Sequence, residues 1–263
     1  MKTAAAFWSE NNAQHITTLL KSNVGSTAVL NDFFKERLKD YYERFININK
    51  GFKTAAPNMA QYQEFLRTNA GFVNLLERIK YEAFSGYPIL QQSVFHYIYE
   101  ARYINAVFGT KNATGGPIIT VHFLPFLNNT LACLYNQMYF WGIIGAMHPS
   151  LIMGNNAFYN AINGYAKEFL TEVCNNFNSL NYRLSSLKKP LKKAALAYIF
   201  KDFSAVNNEY LDFLGSVKAA NPKIFLSSFA TRLPTSFYAA IDHQIAEHTL
   251  VAEINKNIEK LIF

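Results

Sequence analysis

Few of the residue types that mark common chemistries occur in this chain of 263 residues. Charged residues make up only 16% of it, and cysteine occurs twice, at Cys133 and Cys174. The two cysteines are far apart and in no metal-binding or redox spacing, which predicts buried free thiols in a reducing compartment. The N-terminus lacks the apolar segment and the cleavage pattern of a signal peptide. Together these features predict a cytoplasmic protein.

Other functional signatures are missing as well. The sequence has no nucleophile motif, no phosphate-binding glycine loop and no nucleotide fingerprint, so no catalytic residue is assigned and the question of enzyme activity stays open. The net charge is +7, but the basic residues are scattered, with short clusters only at Lys188-Lys189 and Lys192-Lys193. Because no basic stripe with interleaved aromatic residues appears, we expect no nucleic-acid partner.

A long uncharged stretch lies between Lys111 and Lys167. Its most apolar part, residues 131–147, is interrupted by Asn136 and Gln137. A membrane-spanning helix needs about 20 mostly apolar residues in a row. We therefore expect no membrane span and interpret this segment as a buried central helix.

The remaining composition favours a helical protein with a substantial core. Half of the residues are hydrophobic and 16% are aromatic. Turn residues separate long segments of helical periodicity, and residues 118–122 are the only short β-like run. The clearest linker is the glycine-containing stretch 110–117. The expected helices cover residues 4–22, 27–50, 56–84, 86–108, a segment ending near 152, then 157–179, 190–214 and 235–261, with a short extra helix within 222–232.

Two patterns recur in the same order in the two halves of the chain. One is Phe-Trp followed by a histidine seven positions after the tryptophan, and the other is His-x-x-x-Glu. They occur as Phe7-Trp8…His15 with His96…Glu100, and as Phe140-Trp141…His148 with His243…Glu247. The repeated order predicts an all-α protein of two four-helix bundles from an internal duplication, covering residues 1–112 and 113–263.

The His-x-x-x-Glu pairs are predicted to face the cores of their bundles. On a helical wheel Glu247 lies about 40° from His243, and Leu250 and Ile254 lie on the same side. The pair in the first half has the same relation to its apolar stripe. A buried carboxylate needs a partner, because desolvating an unpaired charge costs roughly several kcal/mol. That partner is either the histidine itself or a metal ion.

The acids on the second helix of each half are predicted to face solvent, unlike the His-x-x-x-Glu pairs. Glu36 and Asp40 occupy positions that align with Glu168 and Glu172. On the wheel, Glu36 and Asp40 point away from the apolar stripe of their helix. We interpret both pairs as part of a solvated face.

The chain resembles a domain-of-unknown-function family of Gram-positive bacteria, built as two tandem ferritin-like four-helix bundles. The resemblance rests on the Phe-Trp…His and His-x-x-x-Glu patterns, including Asp242-His243, and covers nearly the whole chain. It implies a metal-binding protein without an established reaction. In the family an acid precedes the first histidine of each half, whereas Gln14 and Met147 stand there in this sequence.

Each half therefore offers two histidines and one carboxylate as candidate metal ligands. They are His15, His96 and Glu100 in the first half, and His148, His243 and Glu247 in the second. Such a set suits Fe, Zn or Mn. It lacks the carboxylates of a di-iron bundle and the histidines of a hemerythrin-like carrier. The alternative is a non-catalytic structural or interaction protein that keeps a degenerate metal site.

The sequence narrowly favours the first half as the better site. Gln14 would add a neutral oxygen donor there. In the second half, Pro149 disfavours helical geometry at His148, and the thioether of Met147 suits hard or borderline ions poorly.

Three further residues are predicted to lie outside the metal ligands. Asp242, about 100° from its histidine on the wheel, would support the site from outside or lie at the surface. His248 falls off the apolar stripe and is predicted to lie at the surface or between the bundles. His122 is predicted to lie in a loop.

Overall fold

The computed structural model describes residues 4–24, 27–54, 58–108, 130–219, 225–227 and 235–262. Within these ranges the protein is all-α, as the sequence predicts, and its β structure is confined to one short ribbon and one isolated bridge. The chain divides into two compact units, Met1–Pro125 and Phe126–Phe263. The boundary expected after residue 112, the linker 110–117, the β-like run 118–122 and His122 lie outside the described residues.

Four long helices form the described part of the first unit. They are α1 (Ala4–Leu20), α2 (Asp32–Thr54), α3 (Met59–Arg78) and α4 (Pro88–Phe108), with strands β1 (Asn23–Val24) and β2 (Thr27–Ala28) before α2 and a π-helical turn (Ile79–Ala83) after α3. Helices α1 and α3 each pack against both α2 and α4. The α2 helix starts later than the sequence predicts because the strands pair antiparallel first. The side chain of Asn31 then caps the helix by accepting from the Phe34 amide at 3.0 Å.

The second unit also has four long helices in its described part, and one short helix. They are α5 (Thr130–Gly154), α6 (Asn156–Ala161), α7 (Gly164–Ser185), α8 (Lys193–Ala219) and α9 (Thr235–Ile262). Helix α5 packs against α7, α8 and α9, and α8 packs against α7 and α9. The long helices therefore follow the same order in both units, with the short α6 inserted in the second.

The single helix expected over residues 157–179 is in fact two helices, α6 and α7. The break falls at Ile162, which forms an isolated bridge with Leu226. The amide of Asn163 donates to the Phe225 carbonyl at 2.8 Å, and its side chain caps α7. The Ala161 carbonyl likewise accepts from the Ser227 amide at 2.9 Å. Because these two backbone groups bond to the other segment and not along the helix, the helix stops. Of the short helix expected within 222–232, residues 225–227 are described: Phe225 is helical and Leu226 forms this bridge. The other residues of that range lie outside the described ones.

Apolar faces lie where the sequence places them. The α2 residues Phe34, Leu38 and Phe45 are buried. The aligned acids are confirmed as a solvated face: Glu36, Glu168 and Glu172 are exposed, and half-buried Asp40 pairs with Arg44 at 3.0 Å. Consequently α2 and α7 direct no carboxylate of these pairs into a core.

None of the helices in the described ranges is both long and apolar enough to cross a membrane. The segment interpreted as a central helix is α5, and its residues Phe140, Ile144 and Gln137 are buried. The expectation of no span therefore holds for this segment.

Helices α5 and α7 approach closely at Gly145. A Cβ atom added there would lie 2.7 Å from the ring of Phe177, which is fully buried and packs against Phe203. Gly215, within α8, has nothing within 4 Å of such a Cβ. The two glycines therefore make a matched pair, one at a tight contact and one in open space.

We expect Gly145→Ala to lower the free energy of unfolding by about 1–3 kcal/mol, because the buried ring cannot move aside without strain. Gly215→Ala should raise it by about 0.5–1 kcal/mol, because alanine loses less conformational entropy in a helix. Chemical denaturation of both variants measures the difference. Equal effects of the two substitutions would contradict the close contact.

Candidate metal centres

In the first unit, two histidines from different helices meet one carboxylate. His15 lies on α1, and His96 and Glu100 lie one turn apart on α4. The Nε2 atom of His96 is 3.0 Å from Glu100 Oε1, and that of His15 is 3.5 Å from Glu100 Oε2. All three side chains are at most 1% exposed. Ligand atoms of the two histidines lie within 4.8 Å of each other. The sequence-predicted set therefore converges within this unit.

Neighbouring side chains hold this cluster in place. The amide nitrogen of Asn11, one turn before His15 on α1, donates to Glu100 Oε2 at 3.0 Å. The ring of Tyr97 stacks on His15, with ring centroids 3.9 Å apart. Sequence reasoning missed Asn11, although its spacing of four residues from His15 puts both on the same face of the helix.

The second unit repeats the arrangement with the same atoms. His148 lies on α5, and His243 and Glu247 lie one turn apart on α9. The Nε2 atom of His243 is 3.2 Å from Glu247 Oε1, and that of His148 is 3.0 Å from Glu247 Oε2. His243 is 13% exposed, and the other two are buried. In both units the earlier histidine thus faces Oε2 and the later one faces Oε1.

His248 is buried, so the prediction of a surface position is wrong. Its Nε2 atom is 2.9 Å from Nδ1 of His148, and its Nδ1 atom is 2.7 Å from Oδ1 of Asn207. The helical-wheel position of His248, off the apolar stripe, did not predict its burial because α9 is buried over a wide arc of its surface. Ile241, Gln244 and His248, spaced i, i+3 and i+7, form one continuous buried face, and this spacing was the available signal.

The side chain of Tyr210 packs against His248. The Tyr210 ring meets the His248 ring edge to face at 4.8 Å, and its hydroxyl donates to Gln244 Oε1 at 2.5 Å. Complete burial raises the pKa of Tyr210 well above its ordinary value, and the nearby Cys174 adds to this. The hydroxyl therefore stays protonated and serves as a donor.

An asparagine supports the late helix in the same way in each unit. Asn69 Nδ2 donates to the carbonyl of Ala101 at 2.7 Å, and Asn207 Nδ2 donates to the carbonyl of His248 at 3.1 Å. Each carbonyl belongs to the residue that follows the buried glutamate. The oxygen of Asn69 accepts from Asn12, whereas that of Asn207 faces the His248 ring. The supporting residues around the two sets of candidate ligands therefore differ, although the candidate ligands match.

Two of the reasons for preferring the first half, Gln14 and Pro149, do not hold. The side chain of Gln14 is exposed, so it is no ligand beside buried His15. Helix α5 continues through Pro149 to Gly154, so His148 keeps helical geometry. Pro149 lacks an amide hydrogen for the Gly145 carbonyl, yet the helix tolerates this loss.

The remaining flanking residues have structural roles. Asp242 is exposed and pairs with Lys218 at 2.7 Å, which confirms it as a surface group. Neither Cys133 nor Cys174 forms a disulfide. Burial raises the pKa of Cys133 to about 12, and half-buried Cys174 contacts Ser150 at 3.2 Å. The Cys133 thiol is thus neutral at physiological pH, as expected of a core residue.

No family model matches this chain, and no curated protein does. Among solved structures, an uncharacterized protein from Bacillus cereus G9241 has a similar fold, with a TM-score of 0.72. The alignment covers 98% of this chain and 90% of that chain, at 16% sequence identity. At this identity the likeness shows the fold alone.

Proposed function

We propose that this protein binds a divalent metal ion, Fe, Zn or Mn, through two histidines and one glutamate inside a helical unit. The observation that carries the proposal is the repeated geometry: in each unit one histidine Nε2 faces each oxygen of a buried carboxylate. The ligands are His15, His96 and Glu100 in the first unit, and His148, His243 and Glu247 in the second. Imidazole nitrogen and carboxylate oxygen suit these ions.

The nitrogen-to-oxygen spacing in each unit suits an ion held between each histidine and the carboxylate. Two donors about 2.1 Å from an ion, at an angle of about 90° to 110°, are about 3.0 to 3.4 Å apart. The nitrogen-to-oxygen distances are 3.0 and 3.5 Å around Glu100 and 3.2 and 3.0 Å around Glu247. A small adjustment of His15 would bring all four distances into that span. A bound ion would act there as a Lewis acid.

The number of buried carboxylates in each unit supports a single ion rather than a di-iron pair. Among the described residues, Glu100 and Glu247 are the buried acids, one in each unit. A di-iron bundle uses carboxylates from all four helices. Here the acids on α2 and α7 lie on solvated faces, as described above.

We also propose that the two units are ferritin-like bundles that arose by internal duplication, as in the bacterial family that the sequence resembles. The matching order of long helices supports this. The repeated asparagines Asn69 and Asn207 support it further, because the sequence patterns that led to the family do not include them.

A hydrogen-bonded polar core without metal is the alternative function class, that of a structural or interaction protein. The specific observation in its favour is the amide of Asn11, which already satisfies one oxygen of Glu100 at 3.0 Å. An ion would have to share that oxygen with the amide or bind the other one.

Elemental analysis separates the two functions. We expect protein made without chelators, after supplementation with iron, zinc and manganese, to retain between one and two metal ions per chain. The retained ion should also raise the thermal unfolding temperature, because it binds the folded state alone. Negligible metal together with an unchanged unfolding temperature would favour the structural alternative.

A further inference from the structure

We propose that Asn207 and His248 hold His148 with its proton on Nδ1, and so make Nε2 the metal-binding atom of the second unit. This inference rests on the proposed function for its consequence, although the proton position itself does not. His248 would then be a positioning residue, because it acts on the ligand His148 and not on the ion.

The orientation of the Asn207 amide is the first step. One of its two terminal atoms lies 3.1 Å from the backbone carbonyl oxygen of His248, which can only accept a hydrogen bond. That atom is therefore the nitrogen, and the amide oxygen faces His248 Nδ1 at 2.7 Å. Because an amide oxygen also only accepts, the proton of the His248 ring is on Nδ1.

The second step fixes the proton position on the candidate ligand His148 from that on His248. A neutral imidazole has one donor nitrogen and one acceptor nitrogen. With Nδ1 as the donor, Nε2 of His248 accepts, and it lies 2.9 Å from Nδ1 of His148. Nδ1 of His148 must then donate, and its Nε2 presents a lone pair.

That lone pair points at another acceptor. Nε2 of His148 is 3.0 Å from Oε2 of Glu247. Two acceptors at this distance are held together by a cation that lies between them, and a bound metal ion would take that place. Supporting groups that fix the tautomer of a ligating histidine are a general feature of metal sites.

The first unit lacks the same device, because Ala101 stands where His248 stands in the second. The oxygen of Asn69, the counterpart of Asn207, accepts from Asn12 at 2.9 Å. The first unit instead holds its carboxylate through Asn11. It therefore provides an internal control for any change at His248.

The proton position can be measured directly on the metal-free full chain, with histidine labelled by ¹⁵N and the His148 signals assigned by comparison with His148→Gln. We expect Nδ1 of His148 to show the shift of a protonated ring nitrogen and a coupling to Nε2 of His248. A proton on Nε2 of His148 with a bare Nδ1 would overturn the proposal. This result is independent of metal, so it stands or falls separately from the proposed function.

Zinc titration tests the consequence in a His96→Ala background, where the second unit is the remaining site. We expect His248→Ala to weaken zinc binding about 10- to 100-fold, the usual effect of losing a group that orients a ligand. His248→Gln should recover part of the affinity, because its amide oxygen can accept from His148. In a His243→Ala background, His248→Ala should leave zinc binding by the first unit unchanged. Equal affinity with and without His248, or equal losses in both backgrounds, would overturn the positioning role. Failure of the unsubstituted chain to bind zinc, iron or manganese would overturn the proposed function alone.

Discussion

Replacing Glu100 and Glu247 together with glutamine is expected to reduce the metal content of the chain to background. Each substitution keeps the size of the side chain and removes the negative charge that two histidines share. A neutral amide is a poor substitute for a carboxylate in a site of two imidazoles and one acid. Elemental analysis after supplementation measures the loss.

The stability gained from metal should disappear in the same variant. An ion present at about 100 times its dissociation constant stabilises the folded state by about 2.7 kcal/mol. That increment should vanish on replacement of both glutamates. The control is Glu168→Gln with Glu172→Gln, which changes the same residue type on the solvated face of α7. Metal loss in the control as severe as in the test variant would contradict the assignment of ligands.

Phe177→Ala is expected to have the largest effect on stability, lowering the free energy of unfolding by about 3–5 kcal/mol. The side chain is fully buried and packs against Phe203 and the ring of His248. Its removal leaves a cavity beside α5. Chemical denaturation of the full chain, followed through the unfolding of the second unit, measures the loss of free energy of unfolding. Tyr182→Ala is the control on the same helix, because Tyr182 is 74% exposed, and it should change stability by less than about 0.5 kcal/mol.

The contact between Phe177 and Gly145 makes this prediction sharper. In the Phe177→Ala background the ring that a new Cβ at position 145 would meet is gone. The cost of Gly145→Ala should therefore fall close to zero or reverse in sign, and the double-mutant cycle should report a coupling of about 1–3 kcal/mol. Additive effects of the two substitutions would show that the helices do not meet there.

Helix faces could be read from the sequence because they depend on local periodicity. The spacing of four residues in His96-x-x-x-Glu100 puts both side chains on one face of a single helix, and the apolar residues around them show that this face is buried. The same reasoning placed Glu36 and Glu168 in solvent. The late helices α4 and α9 were also predicted within a few residues of their ends, since Pro88 starts the first and apolar periodicity runs through both.

Contacts between helices depend on which residues the fold brings together, and the sequence could not supply them. Asn11 reaches Glu100 across 89 positions of the chain, and Asn207 reaches His248 across 41. The break at Ile162 follows from pairing with Leu226, which lies beyond two intervening helices, α7 and α8.

The sequence by itself determined that this protein is helical and that two histidines and one glutamate in each half are candidate ligands, because residue type and helical spacing are properties of short segments. Only the tertiary structure decided that those ligands meet through the same atoms in both units, that Gln14 stays outside and that His248 supports His148. Their positions follow from the packing of helices that are far apart in the chain, where a hydrogen bond forms only if the two partners arrive at bonding distance with matching donors and acceptors.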